Sequence, residues 1–132
     1  MDRKTQEAKE AGFAGFSAGP NPTTVQACQK SGLTLVGMVD IGSVEEVKAK
    51  LDRLRDTGCV HVNVQLCDHD TPTSEAVEVA QAALQYGESM GLKPAIEWHR
   101  DTATETPEKG RALIDEYKRQ YDETLRVNFD YS

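Results

Sequence analysis

Nowhere does this sequence hold an apolar stretch near the roughly 18–20 residues a membrane span needs. The first ten residues, Met1 to Glu10, carry no apolar signal core, so nothing points to secretion. Positive charge is scarce as well: 15 Lys and Arg stand against 22 Asp and Glu, for a net −7. Duplex binding needs clustered cations against phosphates, and this balance argues against it. The three cysteines, Cys28, Cys59 and Cys67, are dispersed, with no Cys-x-x-Cys pair. They read as free thiols of a reducing, cytoplasmic protein. Gly15, Gly19, Gly37 and Gly42 form neither a dinucleotide fingerprint nor a phosphate loop, and no nucleophile elbow occurs. No linker, charge block or low-complexity segment divides the 132 residues, which are expected to form one domain.

What is present is an alternation. Helix-compatible segments cover Met1–Ala11, Asn21–Ser31, Ser43–Thr57, Thr71–Met90 and Thr106–Tyr121. Between them lie strand-like runs: Phe13–Ser17, Leu33–Val39, Cys59–Leu66, Leu92–Trp98 and Leu125–Asp130. Gly12, Gly32, Gly58 and Gly91 each separate a helix from the next strand, as helix stops do. Asn21-Pro22, Thr71-Pro72 and Thr106-Pro107 place a capping side chain before a proline, and Ser43 with Glu46 has the spacing of a capping box. Val44, Val47, Leu51 and Leu54 recur at helical spacing, as do Ala76, Ala80, Ala83 and Leu84, and then Leu113, Ile114 and Tyr117. Short links between alternating helices and strands predict a parallel α/β sheet with crossover connections.

The strands predict two unlike faces. Val60, Val62 and Val64 oppose His61, Asn63 and Gln65. Ile96 and Trp98 oppose Ala95, Glu97 and His99. Val127 and Phe129 oppose Arg126, Asn128 and Asp130. An open doubly wound sheet is apolar on both faces of its central strands, so one polar face suits a barrel interior better. The alternative is a set of solvated strand ends or hydrogen-bonded core polar groups. Glu97 and Asp130 are the sharpest pair: two carboxylates on adjacent strand ends could bind one hard divalent cation. His99, Arg100, Gln65 and Asn63 are the candidate substrate contacts around them. Arg100 has a plainer reading, a salt bridge to Asp101. Cys67-Asp68-His69-Asp70 looks like a metal tract, but adjacent side chains are expected to diverge from a single ion. His61, deeper in its strand, reads as a core histidine.

Ala95-Ile96-Glu97-Trp98-His99-Arg100-Asp101-Thr102, followed by Glu105-Thr106-Pro107, resembles the fifth-strand region of sugar phosphate isomerase/epimerase proteins of the xylose isomerase-like TIM barrel superfamily. Val60–Gln65 and Asn128–Ser132 resemble the strands on either side, and Ala11–Phe16 the family's second strand. The resemblance implies an incomplete (β/α)8 barrel of about five strands, without the first. It implies a divalent metal (Mn, Mg, Co or Zn), with Glu97 as ligand and acid/base partner and Asp130 as a second ligand. It implies a sugar or sugar phosphate substrate and proton transfer next to a carbonyl through an enediolate. Ser17 stands where the family often has a glutamate, and the histidine that usually follows the aspartate would fall at position 133. The chain is therefore expected to be a piece of a longer barrel or to complete its sheet with another chain, as exposed edges favour. Two other readings stay open: a non-catalytic, flavodoxin-like or barrel-fragment association module, and an endonuclease IV-like DNA-repair relative.

Overall fold

The computed structural model describes residues 1–129. Its elements alternate throughout: α1 (Asp2–Glu10), β1 (Gly15–Ala18), α2 (Pro22–Ser31), β2 (Thr34–Ile41), α3 (Val44–Asp56), β3 (His61–Leu66), α4 (Thr73–Ser89), β4 (Lys93–Trp98), α5 (Pro107–Tyr121) and β5 (Val127–Phe129). Each strand pairs in parallel with the next, in the order β1-β2-β3-β4-β5. The five strands curl into a half-barrel, as the one-sided polarity of the strands predicts.

Local chemistry sets the element ends. Gly12, Gly32, Gly58 and Gly91 all take positive φ, between +64° and +88°. A side chain is strained there, which is why glycine closes these helices. The Asn21 side chain accepts from Thr24 N at 2.9 Å, and the Thr106 hydroxyl accepts from Lys109 N at 3.2 Å. Two expected caps are built differently. The α4 cap position falls on Pro72, and the Thr71 hydroxyl instead accepts from Asp68 N at 3.2 Å, closing the preceding loop. Ser43 makes no side-chain cap bond, and the Glu46 carboxylate accepts from Gly42 N at 2.9 Å, one residue earlier than a capping box requires. Asn21→Ala is therefore expected to cost about 1 kcal/mol, and Ser43→Ala only a few tenths. Urea midpoints of the two variants, compared at equal slope, check this ordering.

Helices pack on one side of the sheet. Val64, Leu66 and Ile96 are fully buried, together with Leu51 of α3, Val77 of α4 and Leu113 of α5. A Cβ on Gly37 would lie 2.6 Å from Leu54 Cδ2, so β2 and α3 approach closer than an alanine allows. The predicted apolar stripes hold for Val47, Leu51 and Leu54 and for the alanines of α4. Val44 is exposed at the first turn of α3, and Val60 precedes β3 and is exposed rather than sharing the face of Val62 and Val64. Tyr117 is buried in α5, its hydroxyl donating to Gln81 Oε1 of α4, and burial pushes its phenol up to about 12.

Candidate functional site

The side of the sheet away from the helices carries the polar row. Pro94 packs on Gly87 of α4 and Trp98 lies against Gly110 of α5, which turns the intervening Ala95 and Glu97 to the concave face. On β3 the same alternation buries Val62 and Val64 among the helices and leaves Asn63 on the concave side. Register aligns Met38 with Asn63, Asp40 with Gln65, and Glu97 with Asn128.

Three of these side chains form a chain of hydrogen bonds across β3, β4 and β5. Asn128 Nδ2 donates to Asn63 Oδ1 at 3.1 Å, and Asn63 Nδ2 donates to Glu97 Oε1. Asn63 and Glu97 are buried, at 4% and 6% exposure. The second carboxylate oxygen, Glu97 Oε2, is buried without a hydrogen-bond partner among the described residues. A buried carboxylate oxygen with no donor is costly to leave unpartnered, so it fits a bound cation. Asp130, the expected second carboxylate, lies outside the described residues.

Beyond Glu97 the strand ends open on a cavity of ≈ 390 Å³, which brings together Gln65, His99 and Arg100 with Asp40, Asp68 and Asp101. His99 Nδ1 lies 2.7 Å from the Arg100 carbonyl, and a carbonyl only accepts, so Nδ1 carries a proton. In the neutral ring Nε2 is then the lone-pair nitrogen, the arrangement that suits a metal ligand or a hydroxyl acceptor. Arg100 has no ion-pair partner among the described residues, so the salt bridge to Asp101 is not formed there. Asp101 instead takes φ +60° and turns the chain back toward β4. Lys50 donates to Asp40 Oδ2 at 2.9 Å and holds that carboxyl below its ordinary range.

Neither sequence family models nor curated proteins match the chain. Solved structures do. A xylose isomerase-like TIM barrel protein from Mycobacterium smegmatis, in complex with magnesium, superposes with a TM-score of 0.55 at 14% identity, over 99% of this chain and 55% of that one. A xylose isomerase-like TIM barrel/4-hydroxyphenylpyruvate dioxygenase fusion protein gives 0.60 at 16% identity, over 98% of this chain and 24% of that one. The fold is that of part of a TIM barrel, similar to these two proteins. The chain spans about half the length of the first structure and a quarter of the second.

In barrel terms, Glu97, His99 and the cavity sit at the C-terminal rim, where parallel α/β barrels place their sites. Other residues of the sequence reading fall elsewhere. His61 opens β3 and is exposed, not a core histidine. Arg126 precedes β5 and donates to Glu88 of α4, so it leaves the concave face that Asn128 occupies. Asp68, His69 and Asp70 do not diverge: one potential ligand atom from each lies within 4.8 Å of the others, on an exposed turn. Cys67, which takes φ +55°, is half-buried, and burial pushes its thiol up to about 11, away from thiolate chemistry. The barrel segment contains no helix long and apolar enough to cross a membrane among its described residues. Sequence reasoning missed Asn128 and Asp40 as site neighbours. Asn128 stands on the polar alternation of its strand, which was the available signal, whereas Asp40 lies past the predicted end of its strand at Val39, in step with the apolar Val36 and Met38.

Proposed function

We propose that this barrel segment serves a metal-assisted sugar isomerase or epimerase, with Glu97 as the central group. The observation that carries the reading is the buried, unpartnered Glu97 Oε2 on the concave face at the barrel rim. That orphaned oxygen fits a divalent cation. Glu97 would be one ligand, and Asp130 is the proposed second from the sequence. The oxygen-rich donor set favours magnesium or manganese over softer ions, and the magnesium of the Mycobacterium smegmatis protein is in keeping with that choice. A bound cation would supply charge stabilisation for a developing oxyanion. Asn63 holds Glu97 Oε1, which fixes the carboxylate's plane. In this reading His99 Nε2 would accept a proton from a substrate hydroxyl, and Gln65 and Arg100, which line the same cavity, would orient its hydroxyl groups.

The charge at the rim favours an unphosphorylated sugar. Asp40, Asp68 and Asp101 line the cavity against the single guanidinium of Arg100. The N-termini of α3, α4 and α5 hold acidic side chains, Glu45 and Glu46, Glu75 and Glu108, which disfavours an anion at those helix ends. The test has two arms. Calorimetric titration with Mn2+ should give one saturable site, unchanged by millimolar inorganic phosphate after correction for phosphate binding to Mn2+. In D2O, a neutral aldose–ketose pair should take up deuterium at the carbon next to the carbonyl. No Mn2+ binding and no label uptake would remove the reading.

A second reading draws on the open sheet edges. Phe13 beside β1 and Phe129 on β5 are 63% and 55% exposed, large apolar groups at opposite ends of the half-barrel. Two copies joined edge to edge would continue the parallel order. Sedimentation equilibrium showing a monomer up to high micromolar concentration would exclude it.

A further inference from the structure

The register between β3 and β4 ends at Val64 and Ile96, before the residues that matter most. Glu97 and His99 thus lie past the last paired position on that side. A loop of small residues takes over. Ala103 N donates to Leu66 O at 2.9 Å, fastening the loop to the end of β3. The Thr104 hydroxyl donates to Glu97 O at 2.8 Å and accepts from His99 N at 3.2 Å. The Thr102 hydroxyl donates to His99 O at 2.7 Å and accepts from Thr104 N at 3.3 Å. Each hydroxyl has one proton, and each gives it to a backbone carbonyl of the site strand. The 3.0 Å approach of the two hydroxyl oxygens is then a packing contact. Thr104 is fully buried and Thr102 is 5% exposed, so water does not replace these bonds.

We infer that Thr104, supported by Thr102, is a positioning residue: it stands in for the missing strand ladder and fixes where Glu97 and His99 present their side chains. The inference rests on the reading of Glu97 as a metal ligand, and it adds a device that acts only through the backbone. Hydroxyl-bearing residues two apart make this possible, because one threonine reaches the carbonyl of Glu97 and the other that of His99. Valine has the same shape as threonine and can make neither bond. Serine keeps the hydroxyl and loses only a methyl.

The experiment compares Thr104→Val, Thr104→Ser and Glu97→Gln with the parent chain. Mn2+ affinity is read by calorimetry and amide exchange at His99 by NMR. Outer partners of metal ligands are typically worth about 10–100-fold in affinity. Thr104→Val is expected to weaken Mn2+ binding about 10-fold and to speed His99 exchange at least as much relative to Val64. Thr104→Ser is expected to stay within about threefold of the parent in both. A folded Thr104→Val chain with parental affinity overturns the inference, provided Glu97→Gln does lose Mn2+. If Glu97→Gln binds Mn2+ normally, the metal reading fails, and His99 exchange alone decides: unchanged exchange overturns the positioning role, selective acceleration upholds it. Should Thr104→Val not fold, Thr102→Val carries the same two readings, because it removes the bond to His99 O, and the one from Thr104 N, while leaving the Thr104 hydroxyl on Glu97 O.

Discussion

Glu97→Gln is expected to raise the melting temperature of the metal-free chain while abolishing its response to Mn2+. The carboxylate is 6% exposed, and only one of its two oxygens has a donor. Glutamine keeps the acceptor for Asn63 and replaces the orphaned oxygen by a neutral NH2. An unpaired amide in that place costs much less than an unpaired charge. The gain at neutral pH is put at about 1–3 kcal/mol, the size of one unsatisfied buried group. For a chain of this length that is a rise of roughly 3–10 °C. The function moves the other way. Loss of an outer-sphere partner alone costs up to about 100-fold in metal affinity, so loss of the ligand costs at least about that. At Mn2+ one hundred times the parent's Kd, ligand binding stabilises the parent by about 2.7 kcal/mol, and the variant should gain nothing measurable. Differential scanning calorimetry with and without Mn2+ reads both effects. A variant that melts lower without metal, or that keeps the metal-induced shift, contradicts the assignment.

That trade between stability and site is visible in the sequence only in part. The helix stops at Gly12, Gly32, Gly58 and Gly91 were legible because the left-handed conformation is a local demand, met within a few residues. The polar face of β3 and β4 was legible because alternation is a property of a strand by itself. What failed needed knowledge of where pairing starts and stops. His61 looks interior by its place in the run Cys59–Leu66, but β3 begins at His61 and leaves it exposed. Arg126 shares parity with Asn128, but it lies ahead of β5 and reaches back to Glu88. The bond between Asn63 and Glu97 is diagonal, since Asn63 is aligned with Ala95, and no single strand contains that information. Thr104 was hidden for a further reason. Its loop has no periodicity, and its role depends on the ladder ending two residues too early. The Asp68-His69-Asp70 turn shows the opposite error: neighbours in an extended strand diverge, but a tight turn lets them converge.

Gly110→Ala is expected to destabilise the chain more than any other single-methyl change in α5. A Cβ there would fall within the Trp98 ring, in collision with Cζ2, Cη2 and Cε2. The ring is also stacked on Phe129, with ring centroids 5.1 Å apart, so moving it disturbs a second contact. Alanine is the better helix former by about 1 kcal/mol, so propensity alone predicts a stabilised helix. Overpacking of a fitted site costs about 1–3 kcal/mol and occasionally more, and here the collision is with a rigid ring rather than the end of a flexible chain. With the overpacking cost at the upper end of that range, the net loss is about 2 kcal/mol, roughly 7 °C in melting temperature. The consequence reaches the site, since Trp98 ends β4 between Glu97 and His99 in the chain. Displacing its ring rotates the strand end that the threonine loop holds, and Mn2+ affinity should fall with stability. Trp98→Leu supplies the control: in a double-mutant cycle it should cancel most of the Gly110→Ala penalty, giving a coupling of at least about 1 kcal/mol between groups in direct contact. Additive penalties would show that the helix tolerates a methyl there and that the glycine is present for some reason other than the indole.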